Sequence, residues 1–253
     1  MFKVLVLRTK DLTETNIRIG WANAFRYLGH EVSWLEYGKS PLDLWFEECP
    51  DIVIIKQSEL TESIVKAINK YGTVVFLFWE GAEQPLVEKI KTNIFWFKDK
   101  LYKAATGLNP LNPLPKTIYP AADSIRYKRG VYNRDLTASI IYVGSWHPRK
   151  AELLKYLEQR SKQVKVRIYG YGNWNHPLHV GPIESDELFS SILISAGQNI
   201  ILNNNLEKVF KSGHCGACNV LFEGIDRGLA FLGHLDNPTY IDRVQEMLSC
   251  LKS

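Results

Sequence analysis

The chain has 253 residues, 45% of them hydrophobic and 23% charged, and carries a net charge of +4. That composition excludes a disordered tail, a collagen-like repeat and a disulfide-dense miniprotein, and at roughly 100–200 residues per domain the length fits one large domain or two small ones. The mildly basic balance is far from that of a nucleic-acid-binding arm. It suits a small anionic ligand, or weak attraction to an anionic membrane surface.

Residues 2–7 (FKVLVL) are an apolar run predicted as a buried strand. Residues 15–28 set Ile17, Trp21, Ala24, Phe25 and Leu28 on one helical face, and Gly29 ends that helix. Strands follow at 31–36 (EVSWLE) and 51–56 (DIVIIK). Leu60, Ile64, Val65 and Ile68 make the next helical stripe, with Glu62 and Lys66 paired on its outer side. Further strands are predicted at 73–79 (TVVFLFW), 93–97 (NIFWF) and 116–119 (KTIY). Pro110, Pro113, Pro115 and Pro120 then crowd the chain, and residues 121–137 are polar and charged, so little is expected to pack there.

The pattern restarts with a strand at 139–143 (SIIYV), a helix bearing Leu153, Leu154 and Leu157, and a strand at 164–169 (VKVRIY). Asp186 is expected to cap a helix carrying Leu188, Phe189, Ile192 and Leu193. Strands at 199–202 (NIIL) and 219–222 (NVLF) flank a segment ending near Gly213, and a helix at 239–251 closes the chain. Strands apolar on both faces, alternating with helices, belong to parallel sheets covered by helices. The expected fold class is α/β, with two units, 1–120 and 138–253, joined by a linker at 121–137 and facing each other across a cleft. Four scattered cysteines (Cys49, Cys215, Cys218, Cys250), an N-terminal run broken at Arg8 and Lys10, and no apolar stretch near the ~20 residues of a membrane span point to a reducing, cytoplasmic setting.

Ligands of open α/β sheets sit beyond the carboxyl ends of the strands, so the residues just after strands carry most weight. Gly144-Ser145-Trp146-His147-Pro148-Arg149-Lys150 combines a glycine, a helix start and two cations. These suit a diphosphate and, equally, a solvated surface loop. The stretch from Tyr169, Gly170 and Tyr171 to Trp174 would seat a planar base or sugar, although a turn with packing aromatics is the plainer reading. Asn203-Asn204-Asn205 would hydrogen-bond sugar hydroxyls or act as ordinary turn and cap residues. Cys215 and Cys218 form a C-x-x-C with no second pair at zinc spacing and no helix start behind them, so small residues packing a tight turn fit better than a metal or redox site. Glu80, just after the 73–79 strand, is placed to take a proton from a hydroxyl, whereas Glu83 fits a helix N-terminal acid. Asp11, Glu14, His30, His176 and His179 are secondary candidates, most of them expected at the surface.

Taken in order, IIYVGSWHPRKAELLKYL (140–157), VRIYGYGNW (166–174), HVGPIESDELFSSILISAGQNIILN (179–203) and CGACNVLFEGIDRGLAFLGHLDNPTYIDRVQEML (215–248) resemble glycosyltransferases of the GT-B type, most closely the spore-maturation, CgeB-like group. GHEV (29–32), FWEGAE (78–83) and TIYPAADSIRY (117–127) extend the resemblance over nearly the whole chain. It implies two Rossmann-like domains and transfer of a sugar from a nucleotide-diphosphate donor to a hydroxyl of a glycan, protein or small-molecule acceptor. No bound metal or other cofactor and no nucleic acid partner is implied. It sets Gly144, Ser145, Arg149 and Lys150 at the donor diphosphate, Tyr169, Gly170 and Tyr171 near the base, and Asn203, Asn204 and Lys208 among the donor contacts. Relatives usually carry Arg-x-Phe-Glu ahead of the Cys-Gly, where this chain has Lys208-Val209-Phe210-Lys211. Lys211 therefore stands where an acid would hold the donor's ribose or sugar. That reversal makes a non-catalytic binding or structural protein of the same fold the alternative. A dinucleotide-dependent oxidoreductase is a weaker one, since no Gly-x-Gly-x-x-Gly follows the first strand.

Overall fold

The computed structural model describes residues 1–7, 15–34, 40–78, 85–97, 117–118, 121–202, 206–232 and 238–251. The chain divides into two compact units, Met1–Asp123 with Thr239–Ser253, and Ser124–Pro238. No helix among the described residues is long and apolar enough to cross a membrane.

The first unit holds β1 (Lys3–Val6), β2 (Glu31–Trp34), β3 (Ile52–Lys56), β4 (Val74–Phe78), β5 (Ile94–Phe97) and β6 (Thr117–Ile118). They form one sheet in the order β2-β1-β3-β4-β5-β6, parallel throughout. Successive strand residues point to opposite faces, and both faces are covered, which is why the strands read as continuous apolar runs. Val4, Val6, Ile52, Ile54 and Phe76 pack on Trp21 and Phe25 of α1 (Thr15–Tyr27). Leu5, Val53, Ile55, Val75 and Leu77 pack on Trp45 of α2 (Pro41–Glu48) and on Ile64, Val65 and Ile68 of α3 (Glu62–Tyr71). Helix α2 is not foreshadowed by apolar periodicity. It starts at Ser40, whose Oγ accepts the Leu42 N–H at 3.3 Å, with Pro41 in the first turn. A short α4 (Pro85–Glu88) precedes β5.

The second unit holds β7 (Ala138–Val143), β8 (Val166–Tyr169), β9 (His179–Gly181), β10 (Ala196–Ile201), β11 (Asn219–Gly224) and β12 (Gly228–Phe231), with α5 (Ala151–Ser161), α6 (Asp186–Ile194) and α7 (Leu206–His214). The sheet order is β12-β11-β10-β7-β8-β9, with only β12 antiparallel to its neighbour. Counted from β7, this is the 3-2-1-4-5-6 order of doubly wound nucleotide-binding sheets, and the strand order reverses between β7 and β10. Leu153 and Leu157 of α5 cover Ile140, Tyr142, Ile168 and Ile200, while Ile192 and Leu193 of α6 cover Ile141 and Tyr169. The cap of α6 is Ser185 rather than Asp186: its Oγ accepts the Leu188 N–H at 3.1 Å, and Asp186 is the first helical residue.

Two segments lie elsewhere than their sequence suggests. Residues 124–137 belong to the second unit, because Tyr127 is buried with Ile141, Ile192 and Cys215, and Arg126 Nε pairs with Asp186 Oδ2 at 2.5 Å. The closing helix α8 (Tyr240–Leu251) belongs to the first unit. Its Tyr240, Val244 and Met247 join the cluster around Trp21 and Phe25, and the Tyr240 N–H donates to the Ala122 carbonyl at 2.9 Å.

Candidate functional site

In the second unit, Gly144 and Ser145 leave β7 beside Gly170 and Tyr171 leaving β8. The segments stay paired beyond the strands: the Gly144 N–H donates to the Tyr169 carbonyl at 2.9 Å and the Trp146 N–H to the Tyr171 carbonyl at 3.1 Å. Gly170 has φ +139°, and a Cβ there would overlap the Gly144 carbonyl, so only glycine lets the two backbones approach this closely. Side chains hold both carbonyls from behind. Trp174 Nε1 donates to Gly144 at 3.2 Å and His179 Nε2 to Gly170 at 2.9 Å.

A cavity of about 370 Å³ opens on this edge, lined by Gly144, Ser145, Gly170, Tyr171, Phe189 and Lys211 among others. Tyr171 is 62% exposed, with its hydroxyl donating to the Ile183 carbonyl at 3.1 Å. The Lys211 ammonium lies 3.9 Å from the Tyr127 ring centroid and 4.5 Å from that of Phe189, within cation–π range of both. A second cavity, of about 440 Å³, opens beyond β10 and β11, with His147, Arg149, Lys150, Leu202, Phe222 and Glu223 in its wall.

The expected diphosphate loop is thus shared between two hollows. Gly144 and Ser145 face the first, and Arg149 and Lys150 the second. The cause is local: His147 Nδ1 accepts the Arg149 N–H at 3.2 Å and starts a 3₁₀ turn over Pro148–Lys150 that carries both cations away from Gly144 into α5. Lys150 links the hollows, because its ammonium donates back to the Ser145 carbonyl while lying 5.4 Å from the Tyr142 ring centroid. Burial, and then the nearby Lys208 charge, holds the Lys150 ammonium below the ordinary lysine range, and burial pushes the Tyr142 hydroxyl up to about 12. A dianionic ligand would relieve that repulsion between Lys150 and Lys208.

No family model matches the chain, and no curated protein is similar to it in sequence. Solved structures are similar in fold. The spinosyn forosaminyltransferase SpnP aligns with a TM-score of 0.54 at 11% identity, over 87% of this chain and 80% of its own. The spinosyn rhamnosyltransferase SpnG gives 0.50 at 11%, over 96% and 82%. S. aureus MnaA, in a co-structure with UDP, gives 0.54 at 8%, over 98% and 88%. The fold is of the GT-B type. At these identities the likeness carries the two Rossmann-like domains and no individual residue.

Within the GT-B fold, the Tyr169 side chain does not reach the place near the base that the resemblance implied. The residue is 3% exposed in the core beside Ile141, its hydroxyl accepting from Arg167 Nη1 at 3.2 Å, because Ile192 and Leu193 of α6 cover it. Only its carbonyl, which holds Gly144, serves the site. Lys208 is exposed on α7. Glu80, Asn203 and Asn204, with Asp11 and Glu14, lie outside the described residues. His30 is structural, its Nδ1 accepting the Phe2 N–H at 3.1 Å, and His176 Nε2 pairs with Glu158 at 2.8 Å. Cys215 is buried, with its thiol pushed up by burial and 3.3 Å from Ser190 Oγ, and Cys218 is exposed.

The sequence patterns passed over two polar groups. Asn219 Oδ1 accepts from Asn199 Nδ2 at 2.8 Å and from Ser212 Oγ at 2.7 Å, while Asn219 Nδ2 donates to the Val209 carbonyl at 3.1 Å. This buried network fixes α7, the carrier of Lys208 and Lys211, on the sheet. In the first unit, the Arg18 guanidinium donates to the Leu7 carbonyl and, at 3.1 Å from both terminal nitrogens, to Glu59 Oε1. It lies 5.7 Å from the Phe78 ring centroid. The pair therefore ties together the carboxyl ends of β1, β3 and β4. The signal was present: Arg18, Trp21, Ala22 and Phe25 fall at i, i+3, i+4 and i+7, which puts a charge on the buried stripe of α1.

Proposed function

We propose that the chain is a glycosyltransferase that moves a sugar from a nucleoside-diphosphate donor to an acceptor hydroxyl, with the nucleotide held by the second unit. The observation that carries this reading is the carboxyl edge of the 3-2-1-4-5-6 sheet, where the close-packed glycine exits Gly144 and Gly170 border one hollow and the cations Arg149 and Lys150, with Lys208 near Lys150, border the next. The UDP of the MnaA co-structure, in a chain of similar fold, supports a nucleoside diphosphate as the ligand. Motif order, as quoted above, favours the CgeB-like group within the GT-B type, and the proposed setting is the cytoplasm.

In this mechanism the acceptor oxygen bonds to the anomeric carbon as the bond from that carbon to the diphosphate oxygen breaks. The electron pair leaves with the diphosphate, and the acceptor proton passes to a base, for which Glu80 is the proposed group. Arg149, Lys150 and Lys208 stabilise the charge that gathers on the leaving group, the part a metal ion plays elsewhere. Tyr171 offers a ring face at the first cavity for a base.

Arg149→Ala is expected to weaken nucleoside diphosphate binding by about 1.5–3 kcal/mol, the scale of a hydrogen bond to a charged group. Calorimetric titration checks it, and an affinity equal to the parent's rules out this site. Lys211 favours one second reading. An ammonium wedged between Tyr127 and Phe189, where the resemblance implies an acid, fits a protein that binds the nucleotide and does not turn it over. Release of free nucleoside diphosphate from any nucleotide sugar removes that reading.

A further inference from the structure

Residues 121–137 were expected to be a linker in which little packs, yet the stretch 128–134 (KRGVYNR) within it is anchored at two feet. At the first, the Gly130 N–H donates to the Cys215 carbonyl at 3.3 Å, and the Gly130 Cα lies so close to the Ser190 carbonyl that any Cβ would overlap it. At the second, the Asn133 N–H donates to Ser195 Oγ at 2.8 Å, while Asn133 Oδ1 accepts the Asp135 N–H at 2.9 Å and starts the 3₁₀ turn Arg134–Leu136. Between the feet the chain turns outward. Val131 is 78% exposed and Tyr132 62% exposed. Lys128, Arg129 and Arg134, all exposed, flank this tip, and Asp135 is the one acid among residues 128–135. The fold thus holds two apolar side chains outward with exposed cations on either side of them along the chain.

We infer that Val131 and Tyr132 insert into the headgroup region of an anionic lipid bilayer, with Lys128, Arg129 and Arg134 on the lipid phosphates. The chemistry selects this occupant. A tyrosine ring settles at the boundary between headgroups and acyl chains, a valine is rewarded just below it, and cations near an anionic leaflet each add attraction. A nucleic acid backbone would use the cations and stack on Tyr132 but gains nothing from Val131. The anchoring matters as well, since a tip already held outward loses little conformational freedom on insertion. The attachment is peripheral, reversible and weakened by salt. It is independent of the nucleotide site, for which no residue of the tip is required.

Vesicle co-sedimentation tests it, using phosphatidylcholine alone and phosphatidylcholine mixed one-to-one with phosphatidylglycerol. The parent protein is expected to sediment with the anionic vesicles at low salt and to stay in solution with the neutral ones. Val131→Ser with Tyr132→Ser, and separately Lys128→Gln with Arg129→Gln, are each expected to lower the partition coefficient on the order of ten-fold or more. Melting temperature and nucleoside diphosphate affinity should be unchanged, since these side chains face solvent. Three results overturn the inference: no sedimentation of the parent with anionic vesicles, equal partition of the Val131/Tyr132 variant and the parent, or displacement of the bound protein by a single-stranded oligonucleotide from the parent but not from the Lys128/Arg129 variant.

Discussion

Glu59→Ala is expected to destabilise the first unit by about 3–5 kcal/mol, the cost of stripping one partner from a buried ion pair. Arg18 is 4% exposed, and its charge is balanced by Glu59. Removing the carboxylate leaves a buried guanidinium without its counter-ion and the Lys56 N–H without the Glu59 Oε2 that accepts it at 2.8 Å. Replacing both members with apolar residues, Arg18→Met with Glu59→Leu, should recover most of the loss, because buried pairs are often worth no more than well-packed side chains. The pH dependence has a defined sign. Burial raises the Glu59 pKa above its ordinary 4.5, and the Arg18 charge only partly offsets that. The folded state therefore binds this proton more tightly than the unfolded state does. The contribution is fully present below 4.5 and is lost as pH rises through the folded value, and Glu59→Gln should remove that part of the pH profile. Denaturant titrations across pH check all three variants, and a loss below about 1 kcal/mol for Glu59→Ala would show the pair to be as weak as a surface one.

Gly170→Ala is the second large effect. The new Cβ meets the Gly144 carbonyl, which is backbone and cannot swing aside, and φ +139° is strained for any side chain. Overlap and strain together predict a loss of roughly 2–5 kcal/mol in stability. To relieve the clash the β7 and β8 exits must part. That breaks the Gly144 N–H bond to the Tyr169 carbonyl and shifts the wall of the first cavity, so nucleotide affinity should fall with stability. Unfolding curves and calorimetry on the same variant separate the two losses. A variant with parental melting and parental affinity would mean that the paired exits do not shape the site.

The central strands were legible because parallel strands covered on both faces leave no polar alternation, and runs such as IVIIK and VVFLF announce themselves. Short edge elements did not. His179–Gly181 has no apolar run, and Gly228–Phe231 depends on its antiparallel pairing with β11. Helix α2 was readable from Ser40-Pro41 rather than from periodicity. At the site, the post-strand rule found Gly144 and Gly170. It could not show that His147 would divert Arg149 and Lys150 to a second hollow, since that depends on one side-chain hydrogen bond. Tyr169 sits one residue before the cavity, and its burial is decided by the packing of Ile192 and Leu193 over that face of the sheet. The destination of α8 follows from long-range packing on Trp21, which no local pattern encodes.

The most direct measurement is the melting temperature of the full chain against uridine, guanosine, adenosine and thymidine diphosphates and their sugars. A ligand that binds only the folded form at 100 times its dissociation constant adds about 2.7 kcal/mol of stability. The account predicts that at least one nucleoside diphosphate raises the melting temperature by several degrees in the parent and by clearly less in Arg149→Ala. A flat response to the whole panel, or an equal rise in both proteins, would contradict a nucleotide site at this edge.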